Sequence, residues 1–365
     1  MRYLEGFRDP EAARHLAGRI RDTTARLADQ GRQARIMEVC GTHTMAIARH
    51  GLRDLLPPQV ELISGPGCPV CVTDAGYVDA AIALADSGCT IATFGDLVRV
   101  PGSRSTLAEA RSRGAEVEVC YSPEAALALA ARRPEREVVF LAVGFETTIA
   151  PVVTLVRSAA GRGLRNLSLL TAFKTVPPAL AALAEDPEVQ VDAFLCPAHV
   201  TAIIGSEAYR PFVERYGIGC VVAGFEPLDI LHGVDTLLGQ LADRAPALAN
   251  QYERVVRPGG NRKAQEVMAT YLVPEDASWR GLGVIPGSGL ALRPEYAAFD
   301  AARRHGRPVA AGAPDPRCRC GDVLKGKIRP RDCRLFGTAC TPDRPVGPCM
   351  VSSEGSCAAE LRYGA

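Results

Sequence analysis

Long apolar runs are missing from this 365-residue chain. No stretch reaches the roughly 20 residues that cross a bilayer as a helix, so the sequence excludes a helical membrane protein. A dominant charge is missing too: 42 Lys and Arg stand against 41 Asp and Glu, a formal net charge of +1. Nothing in that balance calls for nucleic acid or an anionic membrane surface as a partner. The segment from Met1 to Gly31 is rich in Arg, Asp and Glu and lacks the apolar region of a secretory signal. The expected compartment is the cytoplasm. Phosphate-binding signatures are absent as well. The Gly-rich stretch Gly281 to Gly289 is followed by no Lys-Ser/Thr, and no G-x-G-x-x-G leads into a helix.

Cysteine, in contrast, is abundant. The chain has 13 of them. An odd number in a reducing compartment argues against a disulfide framework and for metal binding or redox chemistry. Six fall in the last 48 residues: Cys318, Cys320, Cys333, Cys340, Cys349 and Cys357. Three more, Cys40, Cys68 and Cys71, lie in two motifs described below. Cys89, Cys120, Cys196 and Cys220 sit in apolar strand patterns and read as small hydrophobes.

Along the chain, an amphipathic helix over 5–30 is followed by alternating strands and helices. Strands are expected at 36–39, 60–63, 89–94, 116–120, 137–143, 167–171, 193–195 and 219–223. The helices between them are short, and this alternation argues for parallel sheets flanked by helices. Two α/β units are expected, 36–122 and 123–240. From Gly312 onward apolar periodicity disappears and Pro, Gly, Cys and charge dominate. Such a segment cannot build a core unaided and needs a staple, which its six cysteines can supply. Four cysteines suit zinc, but two would be left over. Four for an iron–sulfur cluster plus a neighbouring pair make a redox unit, and a [4Fe–4S] cluster is the preferred reading.

Gly65-Pro66-Gly67-Cys68-Pro69-Val70-Cys71 stands where the strand at 60–63 hands over to the helix at 74–87. A Cys-x-x-Cys pair there suits a dithiol couple or a metal chelate, and a helix N-terminus should favour its thiolate. A similar junction carries Cys40-Gly41-Thr42-His43-Thr44. Cys40 and His43 read as nucleophile and base, as two metal ligands, or as a buried thiol beside an unrelated histidine. Cys40, Cys68 and Cys71 are expected to converge on one site. His199 follows a strand end, where α/β sheets place ligands; a structural histidine is the plainer reading. Asp96, Glu146 and Glu226 also follow strands, as active-site carboxylates or as helix caps. Gly-Phe-Glu occurs twice after an apolar strand, at 144–146 and 224–226.

Taken in order, Cys40-Gly-Thr-His-Thr44, Gly65-Pro-Gly-Cys-Pro-Val-Cys-Val72, Thr93-Phe-Gly-Asp96, Gly144-Phe-Glu-Thr-Thr148, Cys196-Pro-Ala-His199 and Gly347-Pro-Cys-Met-Val-Ser-Ser-Glu-Gly355 closely resemble the HypD family of hydrogenase maturation factors. The resemblance runs from about residue 36 to 358. It implies a scaffold for the Fe(CN)2CO unit of [NiFe]-hydrogenase, working with a small HypC-type chaperone and receiving cyanide from a HypE-type thiocyanate carrier. It implies two Rossmann-like parallel-sheet domains plus a C-terminal iron–sulfur domain, here 241–365, with the N-terminal helix (1–35) packing on that last domain. It places the iron site at Cys40, Cys68 and Cys71. The chemistry of these residues then makes Cys40 an iron ligand, Cys68 and Cys71 a source of reducing equivalents, further iron ligands or both, and His43 a group to hydrogen-bond or protonate the cyanide. By similarity to the tail of ferredoxin:thioredoxin reductase, Cys318, Cys333, Cys340 and Cys357 hold the [4Fe–4S] cluster and Cys320 and Cys349 form a redox pair. The rival functions are a cluster-dependent disulfide reductase acting on a protein partner, and a zinc-stapled interaction module.

Overall fold

The computed structural model describes residues 5–364, so the first four residues of the N-terminal unit and Ala365 lie outside the described residues. The chain opens with α1 (Pro10–Asp29), β1 (Ala34–Glu38), α2 (Gly41–Arg49), β2 (Val60–Ser64) and α3 (Ala75–Asp86). It continues with β3 (Thr90–Thr93), α4 (Leu107–Ser112), β4 (Val117–Val119), α5 (Pro123–Arg132), β5 (Val138–Gly144), α6 (Glu146–Gly161) and β6 (Leu167–Lys174). Next come α7 (Val176–Glu185), β7 (Ala193–Pro197), α8 (Ala198–Ile204), α9 (Arg210–Tyr216), β8 (Gly219–Ala223), α10 (Pro227–Asp243) and β9 (Leu248–Asn250). Last are α11 (Arg262–Tyr271), β10 (Leu272–Trp279), β11 (Gly283–Leu292), α12 (Ala301–Arg304), α13 (Cys320–Leu324) and α14 (Ser356–Tyr363). Among the described residues no helix is long and apolar enough to cross a membrane.

The strands form two sheets, and the α/β class holds. One sheet has five strands in the order β2-β1-β7-β8-β9, all parallel. The other has six in the order β10-β11-β6-β5-β3-β4. Four of these run parallel, and the β10–β11 hairpin adds to β6 in antiparallel sense. The Gly-rich stretch 281–289 falls in this hairpin, where Gly281 and Gly283 take φ of 82° and 81°.

Sheet membership does not follow the linear division at 122/123. β1 and β2 lie in the first sheet and β3 and β4 in the second; β5 and β6 stay in the second while β7 and β8 return to the first. The chain passes between the sheets after β2, after β6 and after β9. Periodicity identifies a strand but not its neighbour, and parallel partners are joined by long crossovers that leave no local mark.

Helix α1 starts on an Asp9 cap that accepts from Glu11 N–H and Ala12 N–H, with Pro10 at the first helical position. It buries Leu16, Ala17, Ile20, Thr24 and Leu27. These pack on Ile230, Leu231, Val234, Leu237 and Leu238 of α10. The helix therefore docks on the first sheet's helical layer and not on the C-terminal segment. An apolar stripe on a helix says that it must be covered, but not by what.

Each sheet has one place where successive connections leave in opposite directions, the crevice in which α/β sheets bind ligands. In the first sheet it lies between β1 and β7 and is flanked by Cys40 and by Ala198-His199. In the second it lies between β3 and β5. An apolar cluster fills the seam between the sheets and the tail. It contains Cys68, Cys71, Cys320 and Cys349 together with Phe145, Trp279 and Leu324.

Candidate metal and thiol site

Strand β1 delivers Cys40. Ile36, Met37 and Glu38 are fully buried, and the chain leaves the sheet through Val39 to start α2. Cys40 is the extended residue at the helix start. The loop after β2 closes on it: Gly41 N–H donates to Gly67 O at 2.9 Å, and Gly65 N–H to Glu38 O at 2.8 Å. A β-carbon on Gly67 would stand 2.1 Å from Cys40 N, so only glycine lets these backbones meet. The cysteine-bearing junctions after β1 and β2 are thus held against each other.

Neither junction behaves as a plain helix N-terminus. Burial pushes the Cys40 thiol up to about 12; the N–H groups of His43 and Thr42 pull it back, and the Glu354 and Glu38 carboxylates push it further. Burial raises Cys71 as well. Helix α3 is capped by Asp74, which accepts from Gly76 N–H at 2.8 Å, and by neither cysteine. A helix terminus contributes about 1 kcal/mol, less than it costs to strip water from a thiolate. The expected thiolate preference is therefore reversed for Cys40 and Cys71 unless a cation compensates them.

The sulfurs beyond Cys40 form a file. Cys71 Sγ lies 2.8 Å from Cys68 Sγ, and Cys320 Sγ lies 2.7 Å from Cys349 Sγ. Cys349 also abuts Cys71, and Cys318 abuts Cys320. Cys68, Cys71, Cys349, Cys320 and Cys318 therefore form one series from the loop after β2 into the tail, two of its pairs in direct sulfur contact. Trp279 closes the same seam: its indole N–H donates to Ser288 Oγ at 2.8 Å, and Phe145 stacks on it at 5.8 Å.

In the tail, all six cysteines, Cys318, Cys320, Cys333, Cys340, Cys349 and Cys357, line one pocket with Val323, Leu335, Phe336 and Met350. Val346 N–H donates to Cys340 Sγ at 3.3 Å. A β-carbon on Gly347 would come within 2.5 Å of Cys318 Sγ. Among the described residues no three His, Cys, Asp or Glu side chains close up around a point that could hold a single ion.

His43 is fully buried on α2. Its Nε2 is 2.9 Å from Gly224 O and 3.1 Å from Ala223 O. Carbonyls only accept, so Nε2 carries the proton and Nδ1 is a bare lone pair. Nδ1 is buried and has no hydrogen-bond partner. Desolvation lowers the ring to about 4, so it stays neutral. His43 rests on Phe225 at 4.8 Å, and the exposed His199 packs on the same ring at 4.1 Å. The two Gly-Phe-Glu segments close strands of different sheets. Glu146 Oε1 accepts from Val176 N–H at 3.0 Å, and burial raises this carboxyl to about 7. Asp96 accepts from Ser352 Oγ at 2.9 Å, and Glu226 pairs with Arg8. None of the three joins the thiol file.

Sequence reasoning misses Glu38. This carboxyl is fully buried. It accepts from Cys40 N–H at 3.2 Å and from Thr44 Oγ1 at 2.5 Å. Burial raises it to about 7 against the Thr44, Ser64 and Cys40 hydrogen bonds. The signal is there in hindsight of the fold: one carboxylate inside the apolar run Ile36-Met37-Glu38-Val39. Glu354, which accepts from Thr42 Oγ1 at 2.8 Å, ties α2 to the tail in the same way.

A family model for HypD, described as a hydrogenase formation family, matches residues 11–364. The hydrogenase maturation factor HypD of Azotobacter vinelandii is 47% identical over 372 residues, covering 100% of this chain and 97% of that protein. The Escherichia coli K12 protein of that name is 45% identical over 367 residues, covering 100% of this chain and 98% of that protein. That of Cupriavidus necator is 42% identical over 377 residues, covering 100% and 97%. A match over nearly every residue has one reading: the chain belongs to the HypD family of hydrogenase maturation factors.

Proposed function

We propose that this chain is the scaffold and redox component on which the Fe(CN)2CO unit of [NiFe]-hydrogenase is assembled. The observation that carries the reading is the file of sulfurs from Cys68 to Cys318, ending at a pocket with three further thiols, Cys333, Cys340 and Cys357. Cys40 is an iron ligand, completed by Cys68 and Cys71 and by the partner chaperone of HypC type. Low-spin ferrous iron bearing cyanide and carbonyl tolerates such soft donors. Cyanide comes from a HypE-type thiocyanate carrier. Releasing it takes two electrons: R–S–C≡N and the Cys68/Cys71 dithiol give R–SH, HCN and the Cys68–Cys71 disulfide. Cys349 then attacks that disulfide at Cys71, and Cys320 resolves the mixed disulfide, leaving Cys320–Cys349 oxidised.

Cys318, Cys333, Cys340 and Cys357 fit a [4Fe–4S] cluster by donor chemistry: four soft thiols on an apolar pocket, with a backbone N–H aimed at one sulfur. Such a cluster supplies single electrons. His43 offers Nδ1 as an acceptor or ligand and cannot donate from it, so its part is to accept a hydrogen bond from HCN as the cyanide passes to iron.

Infrared spectroscopy of the chain purified with its small partner tests the reading. Cyanide and carbonyl stretches are expected in wild type and absent in Cys40→Ala. Bands that persist in the variant remove Cys40 from the site. His43→Ala should accumulate the cyanide bands more slowly; an unchanged rate removes His43. Iron analysis separates the disulfide reductase, for which the same file serves and about four irons per chain suffice, from the scaffold, which needs an additional iron.

A further inference from the structure

Three features meet at Glu38. It ends β1, so its backbone and side chain face both cysteine-bearing junctions. Its Oε2 accepts from the amide of Cys40 at 3.2 Å. Its Oε1 accepts from Thr44 Oγ1 at 2.5 Å, one turn into α2, and Thr44 also reaches back to Cys40 O at 3.3 Å. On the other side stands Ser64, the register partner of Glu38 and the last residue of β2, whose hydroxyl faces the carboxyl. Ser64 is in turn held by Arg53 Nη2 at 3.2 Å. Ser64 leads directly into Gly65 to Cys71. Among the described residues no cation lies within 4.0 Å of the carboxyl to explain its burial. A carboxyl sunk between two junctions, with Arg53 attracting it only from behind Ser64, costs stability, and such a residue persists where position matters.

We infer that Glu38 is the positioning residue of the three-thiol site, fixing Cys40 at the start of α2 relative to Cys68 on the loop after β2. This rests on the reading of Cys40, Cys68 and Cys71 as iron-binding thiols. Glu38 does not touch the metal. It satisfies the Cys40 amide, which precedes the helix and has no carbonyl of its own, and it locks the Cys40–Thr44 turn from inside. Through Ser64 it holds the strand end from which the second junction departs. Removing it takes away the hydrogen bond on the Cys40 amide and the anchor of the Thr44 hydroxyl that braces the same turn, enough to swing one sulfur out of a coordination sphere whose tolerance is about 0.5 Å.

Cobalt(II) titrated into the cluster-loaded protein is the probe, because its thiolate charge-transfer intensity scales with the number of bound sulfurs. Wild type is expected to show a three-thiolate spectrum. Cys40→Ala should lose about one third of the intensity per bound ion. Glu38→Ala is expected to match Cys40→Ala in intensity per bound ion, while Glu38→Gln, which keeps an acceptor for the Cys40 amide, stays near wild type. A role in folding alone lowers the amount of ion bound and leaves the intensity per ion unchanged; that result, or a wild-type spectrum for Glu38→Ala, overturns the proposal. If wild type and Cys40→Ala give the same spectrum, the three-thiol reading itself is wrong, and the positioning role falls with it. Should Glu38→Ala fail to fold, Thr44→Val and Ser64→Ala each remove one donor from the carboxyl. Both are expected to shift the spectrum the same way to a smaller degree, and wild-type spectra in both overturn the proposal.

Discussion

Lys174 closes β6 with 3% of its surface exposed. Among the described residues no carboxylate lies within ion-pair distance of it; its Nζ stands 5.7 Å from the centre of the Trp279 ring. Burial lowers the ammonium to about 8, partly offset by Asp74 and Glu275. The unfolded chain therefore binds this proton more tightly than the folded one between about 8 and the ordinary 10.5, and in that window stability rises with pH. Below it, the buried charge costs up to about 3 kcal/mol. Lys174→Met should accordingly be more stable than wild type at pH 7, with the advantage falling to nothing as pH rises past about 10.5. Urea denaturation at pH 7, 9 and 10.5 measures it, and an advantage that does not decline with pH contradicts the account. At this same scale the buried Nδ1 of His43 changes its reading from proton donor to acceptor, because the carbonyls of Gly224 and Ala223 claim the only N–H.

The element that matters most is the loop from Gly65 to Cys71. It is neither strand nor helix; it lies where the chain first passes between the two sheets, and its thiols face the tail instead of the helix that follows. Its closeness to α2 depends on Gly67. A methyl group there would meet backbone atoms of Cys40 at 2.1, 2.4 and 2.5 Å, which no side-chain rotation relieves. Gly67→Ala should cost at least about 2–3 kcal/mol and weaken Cys40-dependent metal binding, whereas Gly163→Ala, with nothing within 4 Å of the added carbon but a positive φ of 67°, should cost about 1 kcal/mol and leave metal binding intact. Thermal melts and cobalt(II) titration of both variants decide it; equal metal binding would separate the close approach from the site. The paired Gly-Phe-Glu segments show that a repeated strand end need not mean a repeated role. Phe145 lies on Trp279 in the seam, while Phe225 lies between two histidines on the other sheet.

For the whole molecule, the exchange of strands between sheets makes the first 122 residues dependent on the rest. β1 needs β7, and β3 needs β5, each from beyond residue 122. A fragment 36–122 is expected to show no cooperative melting transition by circular dichroism, since its strands keep only their outer partners and lose one face of every core. A sharp transition in that fragment would show that the linear unit folds alone. The interdependence also shapes the seam: cysteines from the loop after β2 and from the tail share one cluster with Trp279 and Ile285 of the second sheet's hairpin.

The alternation of apolar runs with helical stretches was enough to name the class, because period and length are local properties of the chain. Motif order was enough to name the family, because glycine and cysteine spacing is written in the residues themselves. The sheet partners, the docking of α1 on α10 and the file of sulfurs joining two distant cysteine groups came from tertiary structure alone. So did the place of Glu38. Its neighbours are 2, 6 and 26 residues away in sequence, and only the parallel register of β1 with β2 sets Ser64 beside it. Pairing between distant segments is decided by which surfaces bury each other, and that information belongs to the assembled core.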